Sequence, residues 1–224
     1  IAESVNTFFY IIGGGYEGRQ GLGAENIKAI LEIFGWGAKT GIDLFGEGQG
    51  VLPTINDQWR LGDTYHFAIG QGPFSVTPLQ VAGAFGAIAN GGALFQPQMV
   101  RQVVDAQKNV IQEFPYRIIQ NNLADPENVD IVREGMRQTV TAGSATGFLD
   151  GLPVAAAAKT GTAQTGRKTQ DARDYLYSWV VTFAPFDHPD FLFVAVVEDV
   201  VEGNAAALPV ARDVMQWYFN TTSR

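Results

Sequence analysis

The chain has 224 residues, of which 46% are hydrophobic and 12% aromatic, and this composition supplies enough apolar surface for a buried core. The formal net charge of −8 argues against nucleic acid as the main partner, because phosphate binding requires clustered Lys and Arg. The absence of cysteine excludes disulfides, thiolate metal sites and a Cys nucleophile. His66 and His188 are too far apart in sequence for a recognisable zinc motif.

The sequence contains neither a candidate membrane span nor a recognisable signal peptide at its start. No apolar run approaches the ~20 residues that span a bilayer, and the first residues lack the basic and apolar regions of a signal peptide. The chain begins with Ile1 rather than Met. We therefore expect it to be a processed piece of a longer protein.

The first half of the chain is predicted to be mainly helical. The run TFFYIIGG has the character of a strand or a buried helix, and NIKAILEIFG places apolar residues at helical spacing before a stop at Gly35. PLQVAGAFGAIANGG predicts a further helix, with Thr77 as its cap and Pro78 in its first turn. Its many Ala and Gly residues favour close packing, so we expect a central buried helix.

The second half is predicted to form a sheet between helices. MVRQVVD and VIQEF are expected to form a hairpin, and DIVREGMRQTV a helix that ends near Gly143. LPVAAAAKTGTAQ, LYSWVVTFAPF and FLFVAVVED predict three strands, followed by an amphipathic helix in LPVARDVMQWYF. Strands joined by short turns indicate an antiparallel sheet. The predicted fold class is mixed α+β, one compact domain over residues 1–224 with helices on both faces of the sheet.

The sequence gives only weak support for two nucleotide-binding motifs. Gly13-x-Gly15-x-x-Gly18 matches the dinucleotide fingerprint, but that fingerprint requires a helix to begin at once, whereas further glycines follow here. Neither Lys-Thr pair belongs to a phosphate loop, because Ala38 and Ala158 occupy the position where that loop needs glycine. Dinucleotide binding remains a remote alternative.

The tripeptide Lys-Thr-Gly occurs twice, at residues 39–41 and 159–161. The first copy leads into IDLFGE, which predicts a connecting loop on the way to a short strand, with Lys39 solvated. The second copy follows four alanines, and small residues on both sides would let an extended peptide lie against its backbone. This pattern is typical of an edge strand that binds by strand addition. An inert Ala-rich strand is the alternative.

The second copy and one further tripeptide offer chemistry for acyl transfer. Lys159 and Thr160 would present a cation and a hydroxyl to a carboxylate, and the Thr162 amide could point at a developing oxyanion. Ser4-Val5-Asn6 supplies a hydroxyl that can relay a proton and an amide that can hold a substrate carbonyl. Alone, it could equally be a helix cap.

Together these motifs resemble the active site of the penicillin-binding transpeptidases, serine acyltransferases that cross-link peptidoglycan. The motif set of that family is Ser-x-x-Lys, Ser-x-Asn and Lys-Thr-Gly. TGIDLFGEGQGVLPT, AIGQGPFSVTPLQVAGAFGAIANGG, AAKTGTAQ and SWVVTFAPFDHPDFLFVAVVED resemble the family in the same order across nearly the whole chain. The stretch AIGQG resembles the elongation-type enzymes, such as penicillin-binding protein 2, more closely than the division type. The resemblance implies a β-lactamase/transpeptidase-like fold and assigns the second Lys-Thr-Gly to the active site.

The resemblance implies catalytic roles for three residues. Ser4 would relay a proton to the leaving amine, and Asn6 would bind the amide carbonyl of the substrate. Lys159 would supply positive potential to Ser4 and to the terminal carboxylate of a D-alanyl-D-alanine stem peptide.

It also implies that the next three residues bind substrate. Thr160 and Thr162 would hydrogen-bond the carboxylate, and Gly161 would keep the strand free of side-chain obstruction. The Thr162 N–H would form half of the oxyanion hole. No metal and no organic cofactor is implied.

The sequence departs from the family in one respect, because it contains no Ser-x-x-Lys. The residues three positions after Ser4, Ser75, Ser144 and Ser178 are Thr7, Pro78, Gly147 and Val181, and Ser223 is too near the end. We expect the nucleophile to lie on an upstream segment of the same protein, together with part of the fold. Without it, the isolated chain should not be acylated by a penicillin.

The resemblance also implies a location and partners. It indicates the outer face of the bacterial cytoplasmic membrane, with the anchor outside this chain. The expected partners are peptidoglycan stem peptides, β-lactam antibiotics, the upstream segment and an elongation glycosyltransferase.

Two other functions are also compatible with the sequence. A carboxypeptidase or β-lactamase relative would share the fold but transfer the acyl group to water. A non-catalytic binding or scaffold module would keep the groove without the chemistry. The missing nucleophile favours the scaffold slightly, whereas the presence of both Ser4/Asn6 and residues 159–162 counts against it.

Overall fold

The computed structural model describes residues 1–201 and 206–222; Ser223 lies outside them. The first half contains α1 (Asn6–Gly14), α2 (Ala24–Ile33), α3 (Leu61–Ala68) and α4 (Pro78–Ala89). Four short strands follow: β1 (Leu94–Gln96), β2 (Gln102–Val104), β3 (Val110–Glu113) and β4 (Arg117–Gln120). The remainder is α5 (Pro126–Thr141), β5 (Ala157–Lys168), β6 (Asp174–Ala184), β7 (Phe191–Val201) and α6 (Ala207–Thr222). The predicted mixed α+β class with an antiparallel sheet is confirmed.

The three long strands form the central sheet in the order β5-β6-β7, and both pairings are antiparallel. Thr160 lies opposite Val180, which in turn lies opposite Ala195. Within residues 1–201 and 206–222, no strand pairs with the other side of β5. The predicted edge strand is therefore confirmed, and it carries the second Lys-Thr-Gly.

Helices cover both faces of this sheet, as predicted. Successive side chains of a strand point to opposite faces, and the core divides accordingly. Ala158 and Val180 pack with residues of α6, whereas Ala157 and Phe183 pack with Met136 of α5 and with the end of α4. Phe183 is fully buried, and burying a side chain of this size contributes about 1.5–3 kcal/mol.

Two arginines fix α5 against the sheet. Arg137 donates to the carbonyl of Ala156 at 2.8 Å, immediately before β5 begins. Arg133 donates to the carbonyls of Ala89 and Phe186, and its guanidinium lies 5.3 Å from the centre of the Phe186 ring. The loop that follows α5 therefore starts from a firmly held helix.

Helix α4 begins as its sequence predicts and also holds a distant loop. Thr77 caps it, Pro78 occupies its first turn, and the Gln80 side chain completes the capping box. The buried Gln80 amide also donates to the carbonyls of Ala38 and Gln49, at 2.8 and 2.7 Å. These two bonds tie the loop with the first Lys-Thr-Gly to the central buried helix.

The run TFFYIIGG, predicted to be a strand or a buried helix, is α1, and Phe8 remains 55% exposed. A Cβ at Gly13 would lie 2.4 Å from the Ala68 Cβ, and one at Gly14 would lie 2.2 Å from the Tyr65 ring. Glycine therefore lets α1 pack closely on α3. The fingerprint glycines lie in and after a helix instead of in a strand-to-helix turn, so dinucleotide binding lacks the context that it requires.

The predicted hairpin is confirmed by β2 and β3, which pair antiparallel, while β1 pairs with β4. The short strand predicted after the first Lys-Thr-Gly is wrong. Residues 42–47 contain no strand, and Val51 forms only an isolated bridge with Ser75. The physical reason is that the Glu47 carboxylate binds the amides of Thr40 and Gly41, which turns the segment back on itself. None of the helices in the described residues is long and apolar enough to cross a membrane.

Candidate active site

The candidate site lies where the first residues of the chain meet the edge strand β5. The Lys159 ammonium donates from Nζ to Ser4 Oγ at 2.7 Å and to the carbonyl of Thr160 at 2.6 Å. Ser4 and Lys159 are 155 positions apart in sequence, so the fold itself brings the two predicted motifs together.

Burial changes the acidity of this lysine. Desolvation lowers the pKa of Lys159 from 10.5 to about 8, because a buried site disfavours the charged form. Lys159 therefore remains mainly a cation at neutral pH but holds its proton less tightly than a surface lysine. A pKa near the working pH is what proton transfer requires.

The backbone around Ser4 is held by the loop that follows α5. Ser4 has a left-handed φ of 52°, and its amide donates to the carbonyl of Ile1. The Ser144 amide donates to the carbonyl of Ala2 at 3.2 Å. A Cβ at Gly143 would lie 2.5 Å from that same carbonyl oxygen, so the two segments are in close contact. Non-glycine residues with positive φ persist where the surroundings fix them, often at functional sites.

The helix-cap interpretation of Ser4-Val5-Asn6 is wrong. The N-cap of α1 is Val5, and no side chain makes a capping hydrogen bond there. The Ser4 hydroxyl bonds Lys159 instead, and Asn6 is the first residue of α1.

A groove of about 470 Å³ runs beside β5. Its lining comes from α1, from the end of α3 and the loop after it, and from β5 and β6. The lining residues are Asn6, Tyr10, His66, Ile69, Gln71, Gly72, Thr162, Gln164 and Leu176. An open groove along a strand edge suits an extended peptide.

The edge of β5 presents backbone groups next to this groove. The carbonyl of Thr160 accepts from Lys159, and the carbonyl of Thr162 accepts from Gln71 Nε2 at 3.3 Å. The N–H and C=O of a strand residue lie on the same side, so the Thr162 N–H also faces this edge. The Thr162 N–H, proposed from the sequence as an oxyanion donor, therefore lies on the groove side of the strand.

Gly161 lies between these two residues. A Cβ added there would lie 3.4 Å from the Trp179 Cβ, which is ordinary contact. The chain's own packing therefore does not require glycine at this position.

Ser144 is a member of the site that sequence reasoning missed. Its hydroxyl lies 2.7 Å from the hydroxyl of Thr160. Ser144 does not begin a Ser-x-x-Lys motif, and no local pattern in the sequence links it to Thr160. Gln71, Tyr10 and His66 also line the groove; of these, only Gln71 lies in a stretch, AIGQG, that the resemblance had singled out.

The first Lys-Thr-Gly binds a carboxylate of the same chain, that of Glu47. The Thr40 amide and hydroxyl donate to Glu47 Oε1 at 2.6 and 2.5 Å, and the Gly41 amide donates to Oε2 at 3.1 Å. Burial alone would raise the pKa of Glu47, but these hydrogen bonds outweigh it and hold that pKa below 4.5. Lys39 is exposed, as predicted.

The histidines and carboxylates form no metal centre in the part of the chain that the structure describes. No group of three or more His, Asp or Glu residues there could hold a metal ion. His66 lines the groove, whereas His188 lies in the turn between β6 and β7.

Comparison with known proteins gives consistent matches over the whole chain. The family model described as "Penicillin binding protein transpeptidase domain" matches residues 1–216. Two curated relatives named Peptidoglycan D,D-transpeptidase MrdA are 28% identical (Haemophilus influenzae) and 30% identical (Acinetobacter baumannii). These matches cover 98% and 100% of this chain. A solved complex between Penicillin-Binding Protein (PBP2) and MreC from Helicobacter pylori matches 100% of this chain with a TM-score of 0.78 and 27% identity.

The matched proteins are much longer than this chain. It spans 36% and 34% of the two MrdA relatives and 40% of the Helicobacter pylori protein. The resemblance to the elongation-type branch is confirmed by these matches.

Proposed function

The chain belongs to the penicillin-binding protein transpeptidase family, and on that premise we propose that it supplies the substrate-binding and proton-relay half of a peptidoglycan D,D-transpeptidase site. The observation that carries this proposal is the 2.7 Å contact between Lys159 Nζ and Ser4 Oγ, which joins the two motifs. No Ser-x-x-Lys exists among the 224 residues. The nucleophilic serine is proposed to lie on another segment of the same protein.

The carboxylate end of the substrate binds at the second Lys-Thr-Gly. Lys159 supplies the positive charge, and the hydroxyls of Thr160 and Thr162 donate to the carboxylate of a D-alanyl-D-alanine peptide. Charge-assisted hydrogen bonds of this kind are about twice as strong as neutral ones. The first copy supports this assignment, because there a Thr-Gly pair already binds a carboxylate with one hydroxyl and two amides.

The peptide lies along the edge of β5, opposite α1. Asn6 binds an amide carbonyl of the peptide from the other side of the groove. Gly161 leaves room for its backbone, in agreement with the absence of any internal packing reason for glycine there. The Thr162 N–H contributes one donor to the oxyanion hole, where a single donor is worth about 10²–10³ in rate.

Ser4 relays the proton. Because Lys159 donates to Ser4 Oγ, the Ser4 hydroxyl proton points away from Lys159 and can be given to another acceptor. The nucleophilic serine loses its proton as its oxygen forms an ester with the penultimate D-alanine. The C–N bond to the terminal D-alanine breaks, Ser4 passes its proton to the departing amine, and the proton lost by the nucleophile returns to the Ser4–Lys159 relay. An acceptor amine then attacks the ester, forms the cross-link and returns a proton to the serine. The pKa of Lys159, about 8, lets it replenish the Ser4 proton near neutral pH.

The proposed substrate also suggests the other ligands and the location. A β-lactam presents a carboxylate and a reactive amide carbonyl, so it occupies the same groups and acylates the same serine. Stem peptides and growing strands lie outside the cytoplasmic membrane, which places the site on its outer face, with the anchor outside these 224 residues. An elongation glycosyltransferase that makes the strands is the proposed protein partner. The reaction requires neither a metal nor an organic cofactor.

The test is intact mass spectrometry after incubation with benzylpenicillin. We expect no adduct on this chain alone and one adduct in a mixture with a segment that carries Ser-x-x-Lys, located on that segment. An adduct on the isolated chain would contradict the split-site proposal. If no component is labelled in any mixture, the non-catalytic scaffold becomes the better explanation. If water rather than an added amine takes the acyl group, the activity is that of a carboxypeptidase or β-lactamase.

A further inference from the structure

We propose that Ser144 is a positioning residue for the terminal carboxylate of the substrate, acting by orienting the Thr160 hydroxyl toward that carboxylate. This inference rests on the proposed function, in which Thr160 binds that carboxylate. It adds a residue that belongs to none of the three family motifs.

The first argument is the hydroxyl pair itself. Ser144 Oγ and Thr160 Oγ1 are 2.7 Å apart, and either can be the donor. This separation is the commonest for a hydrogen bond between two hydroxyls. A carboxylate has only acceptors, so when it is bound Thr160 has to donate to it. Ser144 must then donate to Thr160.

The direction of these two hydrogen bonds, from Ser144 to Thr160 and from Thr160 to the carboxylate, affects the affinity for the substrate. A hydroxyl that accepts a hydrogen bond becomes a better donor, because successive hydrogen bonds polarise one another. Ser144 therefore both fixes the Thr160 rotor and strengthens its bond to the carboxylate. Without Ser144, the Thr160 hydroxyl can turn toward other acceptors before the ligand arrives.

The second argument is the rigidity of the loop that carries Ser144. Ala145 is fully buried, and its amide donates to the carbonyl of Thr139 at 2.9 Å. The Thr146 hydroxyl donates to the carbonyl of Val140 at 3.2 Å. Ser144 is thus held at a fixed place at the end of α5.

The third argument is that the same residue contacts the other motif. The Ser144 amide donates to the carbonyl of Ala2, two positions before Ser4. One residue therefore joins the segment with Ser4 by its backbone and the strand with Thr160 by its side chain. This arrangement sets the distance between the proton relay and the carboxylate pocket.

The experiment compares two peptides by protein-detected NMR titration of the 224-residue chain. Both are N-acylated and end in D-alanyl-D-alanine, one with a free carboxylate and the other with a carboxamide. We expect Ser144→Ala to weaken binding of the carboxylate peptide about 5-fold, the size of one typical hydrogen bond. Binding of the carboxamide should change less than about 2-fold, since a neutral acceptor gains less from the aligned hydroxyl.

Three further variants separate positioning from a structural effect. Ser144→Thr keeps the hydroxyl and should restore the preference for the carboxylate. Thr141→Ala is the matched control, because it removes a hydroxyl at the end of α5 that bonds only the carbonyl of Arg137 among the contacts described. In a Thr160→Val background, Ser144→Ala should have no further effect, since distinct effects add unless two residues act together.

The outcomes distinguish a failure of the proposed role of Ser144 from a failure of the proposed function. Equal weakening of both peptides by Ser144→Ala, or additive effects with Thr160→Val, would overturn the role of Ser144 and leave the proposed function intact. A wild-type chain that shows no preference for the carboxylate would overturn both.

Discussion

The two Lys-Thr-Gly copies share three residues and differ in nearly every other respect. The copy at residues 39–41 lies in a loop, with Lys39 exposed and Gly41 in the left-handed region at φ 78°. The copy at residues 159–161 lies in the extended edge strand β5, and burial lowers the pKa of Lys159 to about 8. The first binds a carboxylate from its own chain, Glu47, whereas the second is followed directly by Thr162, which lines an open groove.

This difference shows what the tripeptide can do and what decides its use. Thr40 and Gly41 demonstrate that a hydroxyl and consecutive amides can together hold a carboxylate. In the loop this capacity is filled internally and stabilises the fold. In the strand one neighbour is Ser144, a hydroxyl that can donate to Thr160 without filling the site. The surroundings, rather than the tripeptide, determine which copy can take a ligand.

The largest expected effect comes from removing the lysine of the second copy, with the lysine of the first copy as the matched control. Lys159→Met deletes the buried ammonium and should weaken binding of a peptide ending in D-alanyl-D-alanine by about 10–100-fold, because hydrogen bonds to charged groups are worth about 1.5–3 kcal/mol. Lys39→Met should leave the affinity unchanged. NMR titration of both variants measures this, and equal affinities for the two would mean that the groove is not the carboxylate site.

The two glycines should respond in opposite ways. Gly41→Ala forces a side chain into the left-handed region, which costs about 1–2 kcal/mol, with the new Cβ 3.2 Å from Gln96 Nε2. It should lower stability in urea denaturation and leave peptide binding intact. Gly161→Ala should leave stability nearly unchanged, because its Cβ meets only ordinary contact with Trp179. It should weaken peptide binding by obstructing the strand edge; unchanged binding would contradict strand addition at β5.

The sequence predicted those parts of the fold that depend on local signals. Thr77 and Pro78 begin α4 because a cap and an N1 proline act within one helical turn. The alanines before Lys159 predicted an edge strand because small residues on both sides mark a backbone that can be approached closely. The pairing of Ser4 with Lys159 followed only from the family resemblance, since nothing in either segment specifies a partner so far away.

What the sequence could not predict depends on side chains that meet through the fold. The short strand expected after the first Lys-Thr-Gly does not form, because Glu47 binds the amides of Thr40 and Gly41, a contact that no periodicity reveals. Ser144 escaped notice for the same reason, because its role depends on where α5 ends relative to β5.

The smallest expected effect concerns Glu47, whose carboxylate is bound by the first copy. The folded-state pKa of Glu47 lies below its usual 4.5, so its carboxylate stabilises the fold above that pH. The contribution is lost as the pH falls through the folded-state pKa.

Glu47→Gln should therefore lower the free energy of unfolding at pH 7, by about 1 kcal/mol after allowing for solvent screening. The difference from wild type should shrink as the pH falls below about 4. Thermal denaturation across this range measures it, with Glu198→Gln, an exposed carboxylate of β7, as the control. A difference that stays constant with pH would mean that the first copy does not hold Glu47 as a carboxylate, and would remove the internal precedent for carboxylate binding by the second.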